Sequence, residues 1–137
     1  MTASRRKLWI REALLVSVVY CAIGRLFVMP DTHAQAWRLA AWIVSGVVFA
    51  AHIRYEHFKL RGSTRTIAWH VATAVAIGAF LLSGAAALHS LWVQSAIRPL
   101  WLLALVAWPV ITAVPAFGVA LIVSKLLARF RPNSEAK

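Results

Sequence analysis

Apolar residues fill this chain in four long runs, with the polar positions gathered between them. A membrane span needs roughly 20 mostly apolar residues, because about 30 Å of hydrocarbon is crossed at about 1.5 Å per residue. Four stretches reach that length, at about 8–29, 36–58, 64–92 and 99–129. The segments between them, MPDTHAQA, KLRGSTR and VQSAIR, are short. Short connections make successive helices antiparallel. The pattern therefore predicts an all-α, polytopic membrane protein with one domain over residues 1–137, an up-down-up-down bundle of four transmembrane helices. Gly62 is expected to stop the second helix and Ser63 or Thr64 to start the third. Pro109 and Pro115 fall inside the fourth run. Each removes a backbone donor and crowds the preceding turn, so the fourth helix is expected to kink there, with these prolines as a candidate hinge.

Within the runs, small residues mark expected packing faces. Ala72, Ala76, Ala79, Ser83 and Ala87 recur every three or four positions in the third. Ala13, Ser17, Cys21 and Gly24 form a shorter stripe in the first. Small side chains let backbones approach closely, which drives association in lipid. Four helices with almost no loops enclose little volume. The chain is therefore expected to form a homo-oligomer or to join a larger membrane complex, with the stripe of the third run inviting a partner.

Composition agrees with the pattern. The chain is 61% hydrophobic and 14% charged, whereas a soluble domain carries about 25% charged residues. The net charge of +11 would point to nucleic acid in a soluble protein. Here no nucleic-acid partner is expected, because the charges sort by side. Arg5, Arg6, Lys7 and Arg11 open the first span, Arg54, Lys59, Arg61 and Arg65 surround the middle loop, and Lys125, Arg129, Arg131 and Lys137 close the chain. Only Arg25, Arg38 and Arg98 fall on the other side. The positive-inside rule then places both termini and the middle loop in the cytoplasm. Arg54, Lys59, Arg61 and Arg65 are expected to set topology and to meet anionic lipid headgroups. Trp9 and Trp69 at one set of span ends, and Trp37, Trp92 and Trp101 at the other, form the expected interfacial belt. An excess of Arg over Lys, with abundant Ala, suggests a high-GC bacterium, and the four spans are expected to lie in its cytoplasmic (inner) membrane. The first run has the parts of a signal peptide up to Ala34-Gln35-Ala36, but it is long and contains Arg25, so it is expected to be kept. The single Cys21 forms no internal disulfide.

The stretch HIRYEHFKLRGSTRTIAWH, residues 52–70, departs from this apolar background. If two antiparallel helices meet near position 62 or 63, residues equally far from the turn share a depth. Glu56 then comes level with His70, and His52 shares a helical face with Glu56 at i,i+4. Glu12 opens the first span at the same level. The sequence thus predicts a polar cluster of Glu12, His52, Glu56 and His70, with Arg11, Arg54 and Lys125 nearby and His57 and Lys59 solvated. Charged groups near span ends also snorkel and form ordinary ion pairs. Depth separates the two readings, since ionisable groups inside membranes are rare and often functional. On the other side, Arg25, Asp31, His33, Arg38, His89 and Arg98 form a looser set.

Three function classes follow. The first is an oligomeric transporter, channel or pore component whose cluster handles an ion or proton. The second is a structural or haem-holding anchor subunit of an electron-transfer complex, with His52 and His70 as ligands of haem b. It lacks a second histidine pair, because His89 lies nineteen residues from His70, about 28 Å along a helix. The third is a small membrane enzyme acting on lipid substrates through Arg54, His52 and His70. No catalytic residue is assigned, since there are four acidic residues and no nucleophile arrangement stands out. No metal and no cofactor is expected. His52 and His70 are the candidate ligands, but HExxH is absent and the one Cys is remote.

Overall fold

A computed structural model describes residues 3–26, 33–60, 62–94 and 99–129. They form four α-helices: α1 (Ala3–Leu26), α2 (Ala34–Tyr55), α3 (Thr64–Gln94) and α4 (Pro99–Arg129). A π-helical turn, Glu56–Leu60, extends α2. Among the described residues, three segments are long and apolar enough to cross a membrane: Ala34–Lys59, Thr64–Val93 and Leu102–Arg129. The helix α1 is not among them, although the apolar pattern marks four spans. Arg11 and Glu12 near its start and Arg25 near its end leave residues 13–24 free of charge. That is about 18 Å of helix against roughly 30 Å of hydrocarbon.

The helix α3 is the hub. Along α1, Trp9 stacks on His70, the Ser17 hydroxyl donates to the Ala74 carbonyl at 2.8 Å, and Gly24 lies against Leu82. Residue numbers rise together, so α1 and α3 run parallel. Against α4, Trp69 meets Phe117 and Gly84 faces Leu105. Here the numbers run in opposite senses, so α3 and α4 are antiparallel. Glu56 reaches back to His70 across the α2–α3 turn. The start of α1, the end of α2, the start of α3 and the end of α4 therefore share one end of the molecule.

Close approach decides the α1–α3 contact. A Cβ on Gly78 would lie 3.2 Å from the Ser17 carbonyl oxygen and 3.0 Å from Tyr20 Cβ. The face that α3 turns to α1 is thus Ala74, Gly78 and Leu82, beside the stripe expected from the sequence. Ala72, Ala79 and Ser83 of that stripe are buried within the chain itself. Ala76 and Ala87 of the stripe are half-buried. Intrahelical bonds satisfy several hydroxyls, as an apolar medium demands. Ser83 donates to the Ala79 carbonyl at 2.8 Å and Thr112 to the Trp108 carbonyl at 2.9 Å.

The turn between α2 and α3 differs from the expected glycine stop. No glycine has positive φ among the described residues, so Gly62 does not close α2 in the left-handed conformation. The helix instead widens into the π turn before the chain reverses. Ser63 caps α3: its Oγ accepts from the Thr66 backbone N–H at 3.2 Å and its carbonyl accepts from Ile67 N–H at 2.9 Å. Ile53, Ile67, Ala68, Val71 and Ala120 form the core at this end, with Phe49, Phe117 and Leu121 packed against it. Only His52 and Ile53 are buried within α2 itself, and Leu39, Trp42, Ile43 and Val47 are exposed. Its attachment is concentrated in its last turns. The helix α4 is assigned as one α-helix over Pro99–Arg129, with Pro109 and Pro115 inside it.

Candidate functional site

The core that ties the end of α2 to α3 also carries the polar cluster. Glu56 is the first residue of the π turn and is fully buried. It shares a face with His52, one turn earlier in α2. His70 is one and a half turns into α3 and points back at the same carboxylate. His70 Nδ1 lies 3.1 Å from Glu56 Oε2, a hydrogen bond. With the carboxylate ionised, Nδ1–H donates; with a neutral carboxyl group, Oε2–H donates to Nδ1. His52 Nε2 lies 3.8 Å from Glu56 Oε1. That is beyond hydrogen-bond reach, although close enough for an ion pair when the ring is protonated. Both ring nitrogens of His52 and Glu56 Oε1 are buried without a hydrogen-bond partner. Trp9 completes the group from α1, stacked on the His70 ring with centroids 4.4 Å apart and planes 27° apart. Its indole Nε1 is buried as well and has no hydrogen-bond partner.

The surroundings supply little compensation for a charge. Arg11, Arg54, Lys59, Arg65, Lys125 and Arg129 are all exposed at this end. The Arg54 guanidinium turns to the Phe58 ring, 5.9 Å from its centroid, rather than to Glu56. Among the described residues, the ion-pair partners of Glu56 are the two histidines. An uncompensated carboxylate in an apolar interior is expensive. The trio is electrically balanced only when a proton on one imidazole faces an ionised Glu56, or when all three groups are neutral.

The structure thus brings His52, Glu56 and His70 together. Glu12 is half-buried on α1, three residues beyond Trp9, and no hydrogen bond or ion pair joins it to the trio. Arg11, Arg54 and Lys125 are exposed and form no ion pair with the trio, and Arg61 lies outside the described residues. Lys59 is exposed as expected, but His57 is buried, its ring edge-on to Phe58 at 5.1 Å. The expectation that His57 is solvated is therefore corrected. It follows Ile53 by four positions and so shares its face, and the structure makes that a core face by burying Ile53. Sequence reasoning also placed Trp9 only in the interfacial belt. Its spacing of three from Glu12 puts both on one face of α1, and packing decides which of the two meets His70. On the opposite side, Arg25, His33, Arg38 and His89 are exposed and form no ion pair among the described residues, while Asp31 and Arg98 lie outside those residues.

Among the described residues, no group of three or more His, Cys, Asp or Glu is arranged to hold a metal ion. His52 and His70, the candidate haem ligands, each have a ring nitrogen near an oxygen of the Glu56 carboxylate. Comparison with protein-family models, with curated proteins and with solved structures gives no match to this chain.

Proposed function

We propose that this chain is the subunit of a small oligomeric transporter or channel of the bacterial cytoplasmic membrane, and that the His52–Glu56–His70 cluster is its ion-handling site. One observation carries the reading: a fully buried carboxylate whose ion-pair partners among the described residues are two imidazoles. Such groups are costly inside a membrane and mark ion pathways and proton relays. An anchoring role would be served as well by apolar side chains at these positions.

The membrane arrangement belongs to the same proposal. The helix α1 crosses with the others, because it runs parallel to α3 from Trp9–His70 to Gly24–Leu82, and its end charges snorkel to the headgroups. Both termini and the α2–α3 turn face the cytoplasm, where most of the Lys and Arg gather. Their side chains meet anionic lipid. Pro109 and Pro115 bend α4, since each deprives the helix of a backbone bond.

Purified protein reconstituted in liposomes and tested for ion flux decides the function. Flux that is lost in Glu56→Gln is the expected result. A tight vesicle with no flux of any ion, together with a Soret band on the purified protein, would transfer the cluster to the electron-transfer reading. Crosslinking in native membranes tests assembly, and a monomer at every concentration would overturn the homo-oligomer.

A further inference from the structure

We propose that the ion handled by this cluster is the proton, and that it passes from His70 through Glu56 to His52, with His70 the fixed partner and His52 the mobile one. The inference rests on the transport reading above and names its substrate. The choice among ions follows from the ligands that the cluster offers. An alkali or alkaline-earth cation must exchange its hydration shell for several oxygen ligands. The cluster offers the two oxygens of one carboxylate beside two imidazole rings, and the His52 carbonyl one turn earlier is already engaged by the Glu56 backbone N–H. A transition metal would need a closed ligand set, which the described residues do not form. A proton needs only a donor and an acceptor at hydrogen-bond distance, and the 3.1 Å contact of His70 Nδ1 with Glu56 Oε2 is such a pair.

The asymmetry of the cluster assigns the roles. The His70 ring is held on one side by the Trp9 stack and at its edge by Glu56. The His52 ring has neither restraint: it stands 3.8 Å from Oε1, and both its nitrogens lack a hydrogen-bond partner. Protonated His70 releases its Nδ1 proton to Glu56 Oε2, so that one N–H bond breaks and one O–H bond forms. A half-turn of the carboxyl group about its Cγ–Cδ bond presents that O–H to His52. A small rotation of the His52 ring closes the gap, the O–H bond breaks, and an N–H bond forms on Nε2. One proton has moved, Glu56 is a carboxylate again, and no electron or co-reactant is involved. Arg11 and Glu12 on α1, Arg54 on α2, Arg65 on α3 and Lys125 on α4 form no ion pair with the three groups, so the proton has no competing charge partner among them.

The test uses the full chain in liposomes, with a membrane potential set by potassium and valinomycin and lumenal pH read by a trapped dye. Wild-type protein is expected to move protons. Glu56→Gln and His52→Ala are expected to reduce that flux on the order of 10²-fold, the contribution of a positioned proton-transfer group. Circular dichroism and gel filtration of the same samples separate lost folding from lost relay, and Glu56→Gln keeps the shape of the site. Sodium or potassium flux without proton flux would overturn the relay and leave the transport reading standing. No flux of any ion would overturn the transport reading. The relay is then decided by ¹⁵N spectra of histidine-labelled protein in the same lipid. Titrations of His52 and His70 that are coupled in wild type and independent in Glu56→Gln support it. Independent titrations already in wild type overturn it.

Discussion

Glu56 has two carboxyl oxygens, and only one of them has a hydrogen-bond partner. Its removal and its neutralisation should therefore differ. Glu56→Ala leaves two buried imidazoles without their shared partner, at about 1–3 kcal/mol. Glu56→Gln retains an amide that can accept from His70 and donate toward His52, and should cost less than about 1 kcal/mol. Reversible unfolding in mixed micelles, followed by circular dichroism, measures both. Equal losses would mean that Glu56 acts by packing alone. Ser17 is a second residue-scale test. Its hydroxyl is shared between the Ala13 carbonyl at 2.6 Å and the Ala74 carbonyl at 2.8 Å, so it is an interhelical bond inside an apolar contact. Ser17→Ala should cost about 0.6 kcal/mol, the average for such bonds between membrane helices.

At the scale of elements, α1 and α2 are attached in different ways. The helix α1 meets α3 along its length, and the backbones approach closely where Gly78 lies against the Ser17 carbonyl. Gly78→Val drives two methyl groups into that backbone and should destabilise the protein by about 1–3 kcal/mol, whereas additions at Gly46 and Gly118 meet nothing within 4 Å of the new Cβ. The helix α2 is held near its end. Ile53 is 1% exposed and Trp42 is 80% exposed. Ile53→Ala should cost about 2 kcal/mol or more, and Trp42→Ala less than about 0.5 kcal/mol. The same unfolding measurement ranks these variants, and a reversed order would show that α2 is gripped elsewhere. Because the site sits where α2 is gripped, loosening Ile53 should also disturb the cluster. Ser63→Ala, which removes the cap of α3, should cost about 1 kcal/mol.

For the whole molecule, the parallel α1–α3 pair and the antiparallel α3–α4 pair put the cluster, the π turn and six exposed basic residues (Arg11, Arg54, Lys59, Arg65, Lys125 and Arg129) at one end. If that end is cytoplasmic, reporter fusions at the α2–α3 turn and at both termini should report the cytoplasm, and a fusion at His33 the opposite side. A cytoplasmic signal at His33 would sink the topology. The arrangement also separates two kinds of charge. The basic residues at the rim are exposed and individually worth about 1 kcal/mol or less near an anionic surface. Glu56 is buried, and its contribution depends on its neighbours rather than on lipid.

Helical class, the reversal between α2 and α3 and the apolar character of the three long segments were legible from the sequence, because each follows from local periodicity and from the length of hydrocarbon to be crossed. The register of His52, Glu56 and His70 was legible too, since a short turn forces residues equally distant from it to one depth. Four matters were decided only by the tertiary structure. Glu12 stays apart from the trio and Trp9 takes the place beside His70, because the rotation of α1 about its own axis is set by the Ser17–Gly78 approach. His57 is buried, because it follows Ile53 into the core. Ala72, Ala79 and Ser83 of the small-residue stripe on α3 are buried within the chain, whereas Ala76 and Ala87 are half-buried. The helix α2 ends in a π turn instead of at a glycine. Periodicity states which residues of one helix share a face; which face meets which neighbour depends on packing between helices, and a single sequence does not encode that locally.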